Sequence, residues 1–140
     1  MSNTTTPTTR TITLTDRPPV TIREDDWPII ASSQSKEFDN QYEFQANCTS
    51  KWHFAVRQHD DGRAIVYATY SYSSTYQNAR NYRARAGVLL AADATKNNGL
   101  VDAIRAVSAT IANAEHVGTD ADRWPTLRDE CIADLPAVEI

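Results

Sequence analysis

Glycine is scarce in this chain, with four residues among 140, and cysteine and methionine are scarcer still, with two and one. Phosphate-binding loops of the GxGxxG and GxxxxGK[ST] types need closely spaced glycines, and the sequence contains neither pattern. It also lacks the HExxH pattern of zinc proteases and the GxSxG pattern of serine hydrolases. These absences favour a protein without enzymatic activity and without a cofactor, and an enzyme with an unrecognised site is the alternative.

The two cysteines, Cys48 and Cys131, lie far apart and form no CxxC spacing. Neither a zinc site nor a disulfide framework is therefore indicated, and we expect free, buried thiols and no metal. The sequence also lacks a continuous apolar run of about 18 residues, so no membrane-spanning helix is predicted. Because the N-terminus has no hydrophobic signal core, we expect a cytoplasmic location.

The composition is that of one globular domain, because 41% of the residues are apolar and 23% are charged. Residues 1–9 are almost all Ser, Thr, Asn and Pro, with nothing apolar after Met1. Such a segment has no side chains with which to join a core and is predicted to be a disordered tail. We therefore predict a single α+β domain over residues 10–140.

The first structured segment has weak alternation of apolar and polar residues at 11–14 and again at 20–22, separated by Pro18 and Pro19. This pattern predicts one or two short strands at the edge of a sheet. Asp25 or Asp26 can cap a following helical turn with Trp27, Ile29 and Ile30 as its apolar residues, and we expect this segment to lie over the core as a lid.

Alternation with a period of two is strongest in residues 41–72 and predicts three consecutive antiparallel strands, at 42–45, 52–56 and 64–72. A fourth strand is predicted at 82–90, where Arg83 and Arg85 alternate with small or apolar residues. Together with the N-terminal strands, these segments predict an antiparallel sheet of four to five strands.

The segment Asp60-Asp61-Gly62 predicts a three-residue hairpin loop that pairs His59 with Arg63. A two-residue loop would exchange the two faces of the second strand, so the prediction depends on this register. The predicted inner face carries Trp52, Phe54, Val56, Val66, Ala68 and Tyr70. The predicted outer face carries His53, Arg57, His59, Arg63, Ile65, Tyr67 and Thr69.

The C-terminal part changes to the period of a helix. Asn98 can cap a first helix and Gly118 lies beyond its end, while a second helix is predicted at about 122–134, before Pro136. The apolar stripes are Leu100, Ile104, Val107 and Ile111 in the first helix, and Trp124, Leu127, Cys131 and Leu135 in the second. Strands followed by helices indicate an α+β fold with both helices packed on one face of the sheet. The predicted shared core consists of Trp52, Phe54, Val66, Tyr82, Leu100, Ile104, Val107 and Ile111.

Charge is distributed unevenly along the chain. The protein has a formal net charge of −4, whereas residues 51–86 contain six basic and two acidic side chains. Four of these arginines fall on the predicted outer face with one aromatic residue, and we interpret them as a basic binding surface. They are Arg57, Arg63, Arg83 and Arg85, with Tyr67 as the aromatic residue. The alternative is an ordinary solvated sheet face.

Residues 70–78 are rich in Tyr, Ser and Asn. This composition is typical of adaptable contact loops, and it marks Tyr72 and Tyr76 as candidate partner-binding residues. An end of a strand followed by a common polar loop would have a similar composition.

The two surface features favour a non-enzymatic accessory protein that binds a partner protein with an acidic surface. A single-stranded nucleic-acid-binding protein that uses the same arginines is the second hypothesis. A protein that binds duplex nucleic acid over its whole surface is disfavoured by the net negative charge.

Overall fold

The computed structural model of the chain describes residues 8–34, 38–42, 46–74, 82–112 and 124–136, with side chains at 8–34, 53–70, 84–111 and 125–136. The strands are β1 (Thr9–Ile12), β2 (Val20–Arg23), β3 (Ile29–Gln34), β4 (Phe38–Tyr42), β5 (Ala46–Gln58), β6 (Ala64–Ser74) and β7 (Tyr82–Leu90). The α-helices are α1 (Gly99–Ala112) and α2 (Trp124–Asp134), and short 3-10 helices cover Glu24–Asp26 and Ala92–Thr95.

A five-stranded antiparallel sheet forms the centre of the fold. Its strands lie in the order β3, β5, β6, β7, and β4 also pairs with β5. Because β5 is 13 residues long, it has room for two partners on one side: β4 pairs with residues 46–50 and β3 with residues 53–57. Both helices pack on one face of this sheet, which confirms the predicted α+β class.

The β5–β6 turn has the predicted three-residue loop. The His59 N–H donates to the Arg63 carbonyl over 2.9 Å, and the Gly62 N–H donates to the His59 carbonyl over 2.9 Å. Gly62 has φ of 97°, a left-handed conformation that glycine adopts without steric cost. This turn sets Phe54 opposite Ala68, so the predicted register is confirmed.

The helix face of the sheet carries the larger core. Five of the eight predicted core residues are buried there, and Leu100 packs against them partly buried. The five are Phe54, Val66, Ile104, Val107 and Ile111. Trp52 and Tyr82 lie in β5 and β7, but their side chains are outside the described part, as is Gly118. Among the described helices, none is long and apolar enough to cross a membrane.

The N-terminal strands do not extend the edge of the main sheet, and that expectation is wrong. In the described chain, β1 and β2 pair only with each other and form a separate two-stranded hairpin. This hairpin lies on the outer face of the main sheet, opposite the helices, and buries a second apolar cluster. The cluster comprises Ile12, Leu14, Ile22, Trp27, Ala55, Ile65 and Tyr67.

The start of β1 also differs from the sequence-based expectation. β1 begins at Thr9, inside the predicted tail, and the Thr8 carbonyl accepts a hydrogen bond from the Glu24 N–H. Residues 1–7 lie outside the described residues, so a tail there stays a prediction.

The segment of β3 was expected to be part of a lid, but it is a strand of the main sheet. At its edge the Ser32 N–H donates to the Asp134 carboxylate of α2 over 2.9 Å.

Candidate binding surface

Arg57 is on the outer face, as predicted, but it is not a surface residue. Its exposure is 5%, because the N-terminal hairpin covers it. Its Nε donates to the Tyr67 hydroxyl over 2.9 Å and its Nη1 donates to the Trp27 carbonyl over 3.0 Å. Its Nη2 lies 3.7 Å from a carboxylate oxygen of Glu24. The expectation of an exposed Arg57 is therefore wrong. The side chain instead bonds the N-terminal segment to the sheet.

Tyr67 is also covered, with 5% of its surface exposed. The hydroxyl accepts a hydrogen bond from Arg57, and the rings of Tyr67 and His53 are nearly perpendicular, with 6.2 Å between the ring centroids. Base stacking needs an accessible aromatic face, and Tyr67 does not offer one. Here too the expected exposure is wrong, and the residue instead links the hairpin cluster to the sheet.

The tip of the β5–β6 hairpin holds Arg63, which is exposed as predicted. Its Nε pairs with the Asp61 carboxylate over 2.8 Å, and its guanidinium carbon lies 5.1 Å from the centre of the Trp27 ring. The Arg63 N–H also donates to Asp61, and this bond is the largest cause that lowers the pKa of that carboxyl. These contacts build the turn, as aspartate commonly does in such loops.

Arg85 has the environment that the sequence predicted for the whole basic face. Its side chain is exposed, and no hydrogen bond or ion pair joins its guanidinium to another described residue. It lines a groove of about 160 Å³ between β1 and the outer face, together with Thr69 and Arg10. Arg10 donates to Glu24 over 2.7 Å, an interaction that raises its pKa and balances its charge. Arg85 is therefore the uncompensated cation of the groove.

The sheet register places further basic residues beside Arg85. Arg85 pairs with Thr69, which pairs with His53. In the adjacent row Arg83 pairs with Ser71, which pairs with Lys51. Residues two apart in a strand share a face, so the register assigns both rows to the outer face. We call these six positions the basic strip: His53, Thr69, Arg85, Lys51, Ser71 and Arg83.

The Tyr/Ser-rich segment begins as a strand. β6 continues to Ser74, and Tyr70 is 1% exposed in the helix-face core. Tyr72 pairs with Tyr82 in the sheet, with its side chain outside the described part, and Tyr76 lies outside the described residues. Residues 70–74 therefore belong to a strand and not to a loop, as in the alternative interpretation of this segment.

The crossing of the N-terminal segment at the β7 edge is a feature that the sequence analysis missed. The Gly87 carbonyl accepts from the Thr15 N–H over 2.9 Å, and the Gly87 N–H donates to the Thr15 hydroxyl over 3.1 Å. A Cβ at Gly87 would lie 2.4 Å from the Thr13 carbonyl oxygen. A glycine inside a strand pattern signals such a close backbone approach and could have revealed this crossing.

Cys131 offers no reactive thiol. It is a free cysteine with 0% exposure, and burial together with the nearby Asp134 raises its pKa to about 12. A thiol of this kind is a poor nucleophile at neutral pH because the thiolate is the reactive form. Among the described residues, no three His, Cys, Asp or Glu side chains are grouped so that they could hold a metal ion. The side chain of Cys48 is outside the described part.

No protein-family model, curated protein or solved structure matches the chain. The basis for a functional assignment is therefore the geometry of the outer face.

Proposed function

We propose that this protein is a non-enzymatic accessory protein that binds an acidic surface of a partner protein through the basic strip. The supporting observation is Arg85, an exposed guanidinium with no ion-pair or hydrogen-bond partner among the described residues. Guanidinium groups present a planar set of donors that match carboxylates in a bidentate manner. An uncompensated arginine beside a groove is suited to such a contact.

Charge patterning supports the same proposal. The chain as a whole is acidic, with a net charge of −4, whereas the strip contains Lys51, Arg83 and Arg85 and no acidic residue. Positive charge concentrated on one face of an acidic molecule orients it toward a negatively charged partner and accelerates encounter.

The nucleic-acid hypothesis has less support from the described residues. Single-stranded nucleic-acid binders combine basic grooves with accessible aromatic faces. Tyr67 is the aromatic residue that the sequence assigned to this role, and it is buried beneath the hairpin. An oligonucleotide therefore belongs in the experiment as a competing ligand.

The test is a double charge reversal, Arg83→Glu with Arg85→Glu. A matched control reverses Lys96, which follows β7, and Arg105, which lies in α1; both are exposed basic residues away from the strip, so this variant has the same net charge. We expect the strip variant to lose partners captured by the wild type from its native host, as identified by mass spectrometry, and the control to retain them. Circular dichroism melts of both variants would verify the fold.

Equal partner capture by a folded strip variant would refute the proposal. Binding of a short single-stranded oligonucleotide that persists at physiological salt and is lost only in the strip variant would favour the nucleic-acid function instead.

A further inference from the structure

The Thr15–Gly87 contact shows the direction of the backbone groups along β7. Both the N–H and the C=O of Gly87 bond to Thr15 and thus point away from β6. In an antiparallel strand these groups point to the same side at every second residue. The N–H and C=O groups of Arg83 and Arg85 therefore point to the open side of β7.

Specific bonds close two other positions at the edges of the described sheet. α2 closes the β3 edge through Asp134 and Ser32, and Thr15 closes the β7 edge at Gly87. No described residue bonds to the open-side groups of Arg83 and Arg85. Unpaired groups on an edge strand are a template for another strand.

We propose that the β7 edge at Arg83 and Arg85 accepts an extended acidic segment of the partner as an added antiparallel strand. This inference rests on the proposed function, since it specifies how the acidic partner engages the basic strip. It also specifies the sequence of the added segment: an acidic residue, an apolar residue and a second acidic residue.

The acidic positions follow from cross-strand pairing. Residues of an added antiparallel strand that stand directly opposite Arg83 and Arg85 are two apart and share the outer face with them. Opposite charges at directly paired positions stabilise a sheet, whereas like charges destabilise it. A second copy of β7 could place arginine opposite arginine, so charge favours an acidic partner over self-association.

The apolar position follows from the opposite face. Between the two arginines lies Ala84, whose side chain is partly buried and packs against the helix-face core. The middle residue of the added strand would stand beside Ala84 on that face, where an apolar side chain extends the core surface. Thr15 occupies the edge at Gly87, so the added strand cannot continue past that point.

The experiment titrates the full chain with short blocked peptides and follows amide chemical shifts by NMR. The first peptide has a Glu-Val-Glu centre flanked by Gly and Ser. In two matched derivatives, either both glutamate amides or only the valine amide are N-methylated. The glutamates stand opposite Arg83 and Arg85, where the paired residues exchange both backbone bonds, so their amides would face β7 and the valine amide would point away.

We expect methylation at the glutamates to weaken binding about tenfold or more, and methylation at the valine to change it by less than about threefold. A Lys-Val-Lys peptide should not bind. The largest shifts in the wild type should fall at residues 82–86.

Equal weakening by the two methylated derivatives would overturn the added strand. If, in that case, Arg85→Glu still abolishes binding of the Glu-Val-Glu peptide, the basic strip binds acidic ligands by charge alone and the proposed function stands. Absence of binding by the Glu-Val-Glu peptide, or equal binding by the Lys-Val-Lys peptide, would also overturn the inference.

Discussion

Arg57 near the end of β5 and Arg63 in the turn that follows both contact Trp27, yet their surroundings are opposite. The N-terminal hairpin covers Arg57, which bonds to Tyr67 and Trp27. Arg63 lies in the β5–β6 turn, outside the area that β1 and β2 cover, and its side chain is 47% exposed. A buried guanidinium must satisfy its donors within the protein, whereas an exposed one can bond to water.

The two arginines are therefore expected to respond differently to the same substitution. Arg57→Met should lower the free energy of unfolding by about 1.5–3 kcal/mol, because it removes charge-assisted hydrogen bonds and leaves the Trp27 carbonyl unpaired. Arg63→Met should cost less than about 1 kcal/mol, since exposed ion pairs contribute little. Urea denaturation of both variants measures the difference, and similar losses would contradict the role assigned to Arg57.

At the scale of elements, the position of the N-terminal segment depends on the absence of a side chain at Gly87 in β7. The Thr13 carbonyl passes so close to Gly87 that a Cβ there would lie 2.4 Å from the carbonyl oxygen. Gly87→Ala should therefore displace the segment and destabilise the protein by about 1–3 kcal/mol. Arg85→Ala, in the same strand but exposed, is the matched control and should change stability by less than about 0.5 kcal/mol.

Denaturation combined with limited trypsin digestion tests this prediction. Arg23 lies exposed in β2, so displacement of the hairpin should accelerate cleavage there in the Gly87→Ala variant. An unchanged cleavage rate and unchanged stability would show that the chain relieves the contact without moving the segment.

The elements that the sequence predicted correctly are those specified by nearby residues. The Asp60-Asp61-Gly62 turn contains a glycine for the left-handed position, and this turn fixed the register of β5 and β6. The stripe of α1 repeats with the period of a helix, and its residues Ile104 and Val107 are buried. Both signals are local, so neither depends on the tertiary structure.

The errors come from tertiary contacts. Nothing in the period of β6 shows that a distant hairpin covers Ile65 and Tyr67, so the outer face was expected to be open. β3 was missed because its buried positions are the small residues Ala31 and Ser33, which give weak alternation. For the candidate surface, the sequence correctly identified Arg63 and Arg85 as exposed and placed Arg57 and Tyr67 on the right face with the wrong exposure.

At the scale of the whole molecule, the described chain forms three layers: the helices, the five-stranded sheet and the N-terminal hairpin. Each face of the sheet contributes to a separate apolar cluster. The strands that build these clusters differ in length: β5 and β6 have 13 and 11 residues, whereas β1 and β2 have four each. A two-stranded hairpin is marginally stable by itself, so β1 and β2 depend on docking.

This asymmetry predicts an order of opening in native-state amide hydrogen exchange. Undocking of the hairpin exposes Ile12, Ile22 and Trp27 but leaves the helix-face core intact, so it should require less free energy than global unfolding. Each of these side chains contributes about 1.5–3 kcal/mol when buried, which gives the hairpin measurable protection. The amides of β1 and β2 should exchange first, with a small dependence on denaturant, whereas Phe54 and Val66 should exchange only through global unfolding. Identical opening free energies and denaturant slopes at all these amides would instead show that the hairpin and the sheet unfold as one cooperative unit.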